Sequence, residues 1–259
     1  MNIVVLVKEV PDSGSERTLR PDDQTVDRAS ANNVINEMDE YAIEEALRIQ
    51  EAHGGEVTVL TVGPEQATDS IRKALQMGPD KAVHVVDDAL HGSCALATSK
   101  VLAAAIRSLN PDLVLAGAES TDGRVQVLPH MIAERLGIAA LTGARKLTVD
   151  GANLTVERQT DEGYEVITAT TPAVVSVWDT INEVRYPSLK GIMAAKKKPI
   201  QTLSLADLGI AADEVGFAGA TSTVVEAAKR PPRQAGTKVT DSGDGGAQLV
   251  AFLAAEKFV

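Results

Sequence analysis

A chain of 259 residues with 36 acidic and 25 basic side chains, net charge −11, has room for one large α/β domain or a medium domain with an appendage. That acidity argues against duplex nucleic acid as a partner, and the single cysteine, Cys94, excludes an intrachain disulfide framework or a cysteine-built zinc or iron–sulfur site. No run reaches the roughly 18 apolar residues of a membrane span and the chain opens directly into a strand pattern, so no membrane insertion and a cytoplasmic location are expected.

Residues 2–7 form a short β-branched run of the kind a buried parallel strand requires. A polar loop with Pro11, Asp12, Pro21 and Asp22 follows. The stretch 35–55 predicts a helix with Asn36 as N-cap, acids in its first turns, and an apolar stripe of Met38, Ala42, Ile43, Ala46 and Leu47. Gly54 and Gly55 stop it. The alternation then repeats: strand 56–62, helix 64–77, strand 82–86, Ala-rich helix 93–109, strand 112–116, and a helix ending at Leu136-Gly137. Strands alternating with single helices predict a doubly wound, mainly parallel α/β sheet. After Gly137 the rhythm changes, and Asp150-Gly151 between two alternating segments predicts an antiparallel hairpin. Residues 165–170 and 173–178 read as further strands, one returning to the main sheet. Residues 182–198 are irregular and basic, residues 199–246 lack a long periodic run, and a terminal amphipathic helix is expected over 247–258. So long a weakly structured stretch is unusual inside a compact domain and suggests an arm lying on a partner.

A doubly wound sheet invites a search for phosphate-binding glycines. After the first strand stands Lys8-Glu9-Val10-Pro11-Asp12, with neither GxGxxG nor GxxxxGK[ST]. The late Ser242–Gly246 run follows no strand and reads as a flexible link. Ligands on such sheets settle beyond the strand carboxyl ends, where the strand order reverses. With an order 3-2-1-4 that crevice is flanked by Leu6 and Val7 on one side. On the other stands the loop Gly117-Ala118-Glu119-Ser120-Thr121-Asp122-Gly123-Arg124. Small residues, hydroxyls, an arginine and a following helix suit a phosphate, with Asn36 adding polar readout. A surface turn with an ordinary cap is the competing reading, and spacing alone does not separate the two. The four histidines are scattered, His84 within a strand, so no metal site is expected. No GxSxG elbow presents a nucleophile, Cys94 reads as a small core residue, and the Glu44-Glu45 pair reads as solvated helix surface. No catalytic constellation emerges. With 3% aromatic residues there are few stacking platforms, and a redox cofactor would need a second chain.

Six segments in order (5–12, 34–51, 56–64, 71–85, 112–126 and 172–200) together resemble the beta subunit of electron transfer flavoprotein, the FixA family. The most specific is the last, a strand followed by Asn-Glu-Val-Arg-Tyr-Pro-Ser-Leu, an Ile-Met-Ala segment and a lysine run. The resemblance implies an adenine nucleotide alpha hydrolase-like fold over 1–200 and an arm over 201–259 that packs on an alpha subunit. It also implies an electron carrier without catalytic turnover, drawing electrons from flavin dehydrogenases, such as those of fatty acid oxidation, for a membrane quinone oxidoreductase. FAD is then held mainly by alpha, and a structural AMP by this chain. Carried over by position, the AMP site comprises Leu6, Asn36, Glu37, Met38, Asp39, Val62, Gly117, Ala118, Glu119, Ser120, Thr121, Asp122, Gly123, Arg124, Val125, Gln126 and Val127. Segment 182–198 corresponds to a recognition loop, with Leu189 as the anchor among Arg185, Tyr186, Ile192 and Met193. An exposed apolar anchor in a polar surround is a hot-spot arrangement; the competing reading puts Leu189 in the protein's own core. The sequence departs from the family at Glu37-Met38, at Gly117-Ala118, in a nucleotide loop one residue short between Asp122 and Gln126, and at Gln159, where an acid is frequent. Two other readings stay open: a bifurcating flavoprotein with a second FAD in place of AMP, and a stand-alone nucleotide-binding stress-type protein.

Overall fold

The computed structural model describes residues 1–233 and 235–259, which form two units, Met1–Val224 and Val225–Val259. The first is built on a nine-stranded sheet. Its strands are β1 (Asn2–Leu6), β4 (Glu56–Val62), β5 (Lys81–Val85), β6 (Leu113–Gly117), β7 (Ala139–Asp150), β8 (Asn153–Thr160), β9 (Gly163–Thr170), β10 (Ala173–Val177) and β11 (Ile200–Leu203). They lie in the order β11-β5-β4-β1-β6-β10-β7-β8-β9. The predicted order 3-2-1-4 is the central β5-β4-β1-β6 portion, parallel throughout. β10 is the returning strand, parallel to both β6 and β7. β7 and β8 form the predicted hairpin, whose Gly151 takes the left-handed φ of 57° that a two-residue turn requires.

Strand side chains alternate between two apolar cores. Ile3, Val5, Val57 and Val59 face α1 (Glu37–His53) and α2 (Thr68–Met77), meeting Ile43, Leu47, Ile71 and Leu75. Val4, Leu6, Leu60 and Val83 face α3 (Ala95–Leu109) and α4 (Leu128–Leu136), meeting Val101, Ile106 and Ile132. Both faces are covered, as a parallel sheet demands.

Several expectations are corrected. Residues 200–224 are not irregular arm. β11 pairs with the β5 edge, and Leu205, Ile210 and Val215 are buried in the α3 core. Isolated apolar residues dock this stretch one at a time, so no periodicity announces it. A four-residue helix, α6 (Gly216–Gly219), lies short of Val224, where a helical turn was expected. Cys94 is only partly buried, packed at the edge of the α3 core in the N-cap position of that helix, its thiol 3.5 Å from the Thr221 hydroxyl. Burial pushes that thiol up, yet hydrogen bonds from the Ala97 backbone and Thr221 outweigh it and bring it to about 7. The Glu44-Glu45 pair is buried, for reasons given below. In the second unit, α7 spans Gly245–Ala255 and exposes Leu249, Val250 and Phe252. The 242–246 run forms the turn into it: Asp241 Oδ1 accepts from the Gly243 and Gly245 N–H groups. No helix among the described residues is long and apolar enough to cross a membrane.

Candidate nucleotide crevice and recognition segment

The crevice lies at the carboxyl ends of β1 and β6, where connections leave toward opposite faces. A two-stranded sheet of β2 (Glu9–Pro11) and β3 (Asn33–Ile35) brings the chain back to Asn36 and the start of α1. Asn36 occupies the N-cap position, but its side chain does not cap the helix. It reaches across instead: Nδ2 donates to the Glu119 carbonyl at 2.9 Å, and Oδ1 accepts from the Thr121 N–H at 3.1 Å. One amide thus fixes the first turn of the loop after β6. Gly117 is where this approach is tightest, since a Cβ there would stand 2.6 Å from both Met38 Cβ and Asp39 Oδ1.

Asp39 lies beneath the junction, with Oδ2 accepting the Lys8 N–H at 2.8 Å. Burial pushes its carboxyl up to about 7, against opposing hydrogen bonds from Asn36, Lys8 and Gly117. Asp122 is the counter-case. Its side chain is 1% exposed, Lys8 Nζ stands 2.7 Å from Oδ1, and Arg28 pairs with Oδ2. Burial pushes Asp122 up, but the Lys8 charge and hydrogen bond, joined by Arg28, hold it below the usual carboxylate range. Lys8 Nζ also donates to Ser120 Oγ at 3.3 Å. Beyond Asp122 the loop is exposed, with Arg124 and Gln126 at φ of 48° and 55°, a region non-glycine residues seldom adopt. Gln126 donates to Glu119 Oε2, while Val125 and Val127 are open to solvent. Thr121 Oγ1 is buried without a hydrogen-bond partner.

The structure therefore brings Asn36, Asp39 and Gly117 through Asp122 together around one junction. Met38 closes against Gly117, Leu6 is buried at the end of β1, and Val62 is half-buried at the end of β4. Glu37 points outward and accepts from Ser13 Oγ. Sequence reasoning missed Lys8, Arg17 and Arg28. Lys8 stands in a quoted segment, but only the fold carries its ammonium to Asp122.

Segment 182–198 begins as irregular chain strapped to α1. Asn182 Nδ2 donates to the Tyr41 carbonyl and to Glu45 Oε2, both at 3.0 Å. Arg185 grips Glu44 with two nitrogens, Nε at 2.6 Å and Nη2 at 3.1 Å, and reaches Glu51 Oε1 with Nη1 at 2.5 Å. This strap buries the acid pair. Arg185 is spent on α1, whereas Tyr186 and Leu189 are 96% and 84% exposed. Leu189 opens α5 (Leu189–Ala195), whose N-cap Ser188 accepts from the Gly191 N–H at 3.1 Å. Gly191 lets α5 sit against the end of α2, for a Cβ there would meet the Gln76 carbonyl at 2.6 Å. Arg72 ties the far end by donating to the Ala195 and Lys198 carbonyls, and Lys198 Nζ caps α2 at the Leu75 and Gly78 carbonyls. Met193 is exposed beside Leu189, and Ile192 is half-buried. Leu189 is thus no core residue: it projects from a braced helix.

A family model described as the electron transfer flavoprotein domain matches residues 23–208. The electron transfer flavoprotein subunit beta of Mycobacterium tuberculosis is 52% identical over 264 aligned positions, covering 100% of this chain and 99% of the relative. The chain belongs to the electron transfer flavoprotein beta-subunit family. The family's spread is wide: the subunit beta of Megasphaera elsdenii is 35% identical over 100% of this chain and 98% of its own. Protein FixA of Azorhizobium caulinodans is 38% identical over 81% of this chain and 77% of its own.

Lys8 supplies an ammonium to the loop that follows Gly117-Ala118. Gln159 lies exposed on β8 opposite Tyr164.

Proposed function

We propose that this chain is the beta subunit of a heterodimeric electron carrier in the cytoplasm, with AMP held in the crevice between β1 and β6. The arm beyond Val224 packs on the alpha subunit, which holds most of the FAD. The observation that carries the reading is the convergence of Asn36, Gly117 and the 117–127 loop on the sheet's switch point, with a buried hydroxyl, Thr121 Oγ1, left without a partner. A buried hydroxyl in that position fits a ligand acceptor such as a ribose or phosphate oxygen. Small residues at 117–118 admit close backbone approach, and the exposed Arg124 provides positive charge. FAD supplies the electron-accepting chemistry when bound to the pair. This chain's residues fix the adenylate, shape the interface and present the docking helix. In this reading the chain is a carrier subunit and not an enzyme in its own right.

The exposed face of α5 docks on flavin dehydrogenases such as acyl-CoA dehydrogenases, with Leu189 as the anchor and Tyr186 and Met193 around it. Arg185 serves behind this face by holding the segment down. Electrons then pass to a membrane quinone oxidoreductase. One exposed leucine suits a carrier that must dissociate quickly, because a small hot spot concentrates affinity without a large interface. Leu189→Ala is expected to slow flavin reduction by a donor dehydrogenase about tenfold or more, the scale of a hot-spot residue. Flavin content and melting temperature stay at wild-type values, since the side chain is exposed. Unchanged transfer kinetics, or loss of flavin from the variant, would overturn the anchor assignment.

A further inference from the structure

The excursion between β2 and β3, residues 12–32, closes on itself through a single bridge, Leu19 to Val26, yet it does not hang free. Arg17 Nη1 donates to the Thr121 carbonyl at 2.6 Å, and Arg28 pairs with Asp122. The Arg28 backbone is itself tied down, its carbonyl accepting from Asn33 Nδ2 at 2.8 Å. Asn33 pairs with Pro11 across the small sheet, so the arginine is mounted on ordered structure. At its tip the excursion is pinned again, Asp23 Oδ2 lying 2.7 Å from His91 Nε2.

The loop these arginines touch needs holding. Its outer half is exposed and contains two non-glycine residues in the left-handed region, a conformation with an intrinsic cost. Asn36 fixes Glu119 and Thr121 from the α1 side. Nothing from α1 reaches Asp122; Lys8 and Arg28 do. We propose that Arg28 and Arg17 are positioning residues that clamp the 117–127 loop over the β1–β6 crevice, acting through Asp122 and the Thr121 carbonyl. The inference rests on the nucleotide reading only in taking that loop as the one that embraces the ligand. A loose clamp would let the ligand escape without any ligand contact being lost.

The geometry also says why the variant folds. In Arg28→Ala the buried Asp122 carboxylate keeps Lys8 as its counter-charge, so no isolated charge is stranded. Hydrogen exchange in the purified complex with the alpha subunit reads the clamp directly, by comparing wild type, R28A, R28K and R17A. In R28A, peptides covering 117–127 are expected to exchange about tenfold faster, the scale of one charge-assisted hydrogen bond, while peptides of α3 and β4 are unchanged. R28K, which keeps a charge for the single nitrogen contact, restores most of the protection, and R17A gives a smaller acceleration. Release of radiolabelled AMP from the complex follows the same order. Equal exchange in wild type and R28A overturns the clamp, as does acceleration spread over the whole sheet, or a lysine that rescues nothing. A complex that carries no adenylate refutes the nucleotide reading instead, and the exchange measurement still decides the clamp.

Discussion

Replacing Arg185 by alanine is expected to destabilise the protein by about 2 kcal/mol, within the roughly 1.5–3 kcal/mol range of hydrogen bonds to a charged group. Glu44 is 3% exposed on α1 and receives both the Arg185 fork and Arg48 Nε at 2.8 Å. Arg48 remains in the variant, which keeps the loss from the top of the range. Burial pushes the Glu44 carboxyl up from its ordinary 4.5, but hydrogen bonds from Arg185 and Arg48 outweigh it and hold it lower. The pair therefore contributes stability above the ordinary glutamate range and loses it as pH falls through the depressed value. Arg185→Ala removes much of that acid sensitivity as well. Urea titration at pH 7 and pH 4 reads both effects, and a loss below about 0.5 kcal/mol at pH 7 would place Arg185 among ordinary surface arginines. Because the strap carries the chain to α5, the variant also slows transfer from a donor, through misplacement of Leu189.

Asp39→Asn is expected to flatten the pH dependence of stability between about pH 4 and 7. The carboxyl titrates near 3.8 in the unfolded chain and at about 7 when folded, because burial disfavours its charge. Below pH 4 both states hold the proton. Between the two values only the folded state does, so rising pH favours unfolding by a total on the order of 4 kcal/mol. Above 7 the penalty is constant. Asparagine has no proton to lose, so the variant lacks this decline, and the gap between the two stability curves widens by that amount across the window. Denaturant midpoints taken at four pH values distinguish the cases, and parallel curves would mean that Asp39 is ionised throughout. The residue matters to function because the same carboxyl is packed against Gly117 and bonded to Lys8 N–H under the crevice.

The alternation of strands and helices was enough to place the crevice, since β-branched runs separated by single amphipathic helices admit few topologies. Asn36 is legible in the sequence as a helix cap and as a polar group beside the crevice, but not as the brace of the loop after β6. Its actual work on Glu119 and Thr121 spans 83 and 85 residues of sequence, which no local pattern reports. Distance hides the others too: Arg28 to Asp122 is 94 residues apart, Lys8 to Asp122 is 114, and Arg185 to Glu44 is 141. Glu44 and Glu45 look solvated because helix periodicity shows only the stripe facing the sheet. The strap of residues 182–185 covers a second face that the helix's own sequence does not advertise. Leu189 was legible through family likeness, while its bracing by Gly191 and Arg72 required the fold.

In the proposed function the β1–β6 crevice holds an adenylate within an electron-carrying pair. Acid extraction of nucleotides from the native complex, followed by quantitative chromatography, tests it most directly. One FAD and one AMP per heterodimer is the predicted result. Two FAD with no AMP, or a chain that purifies alone with no nucleotide, would contradict it.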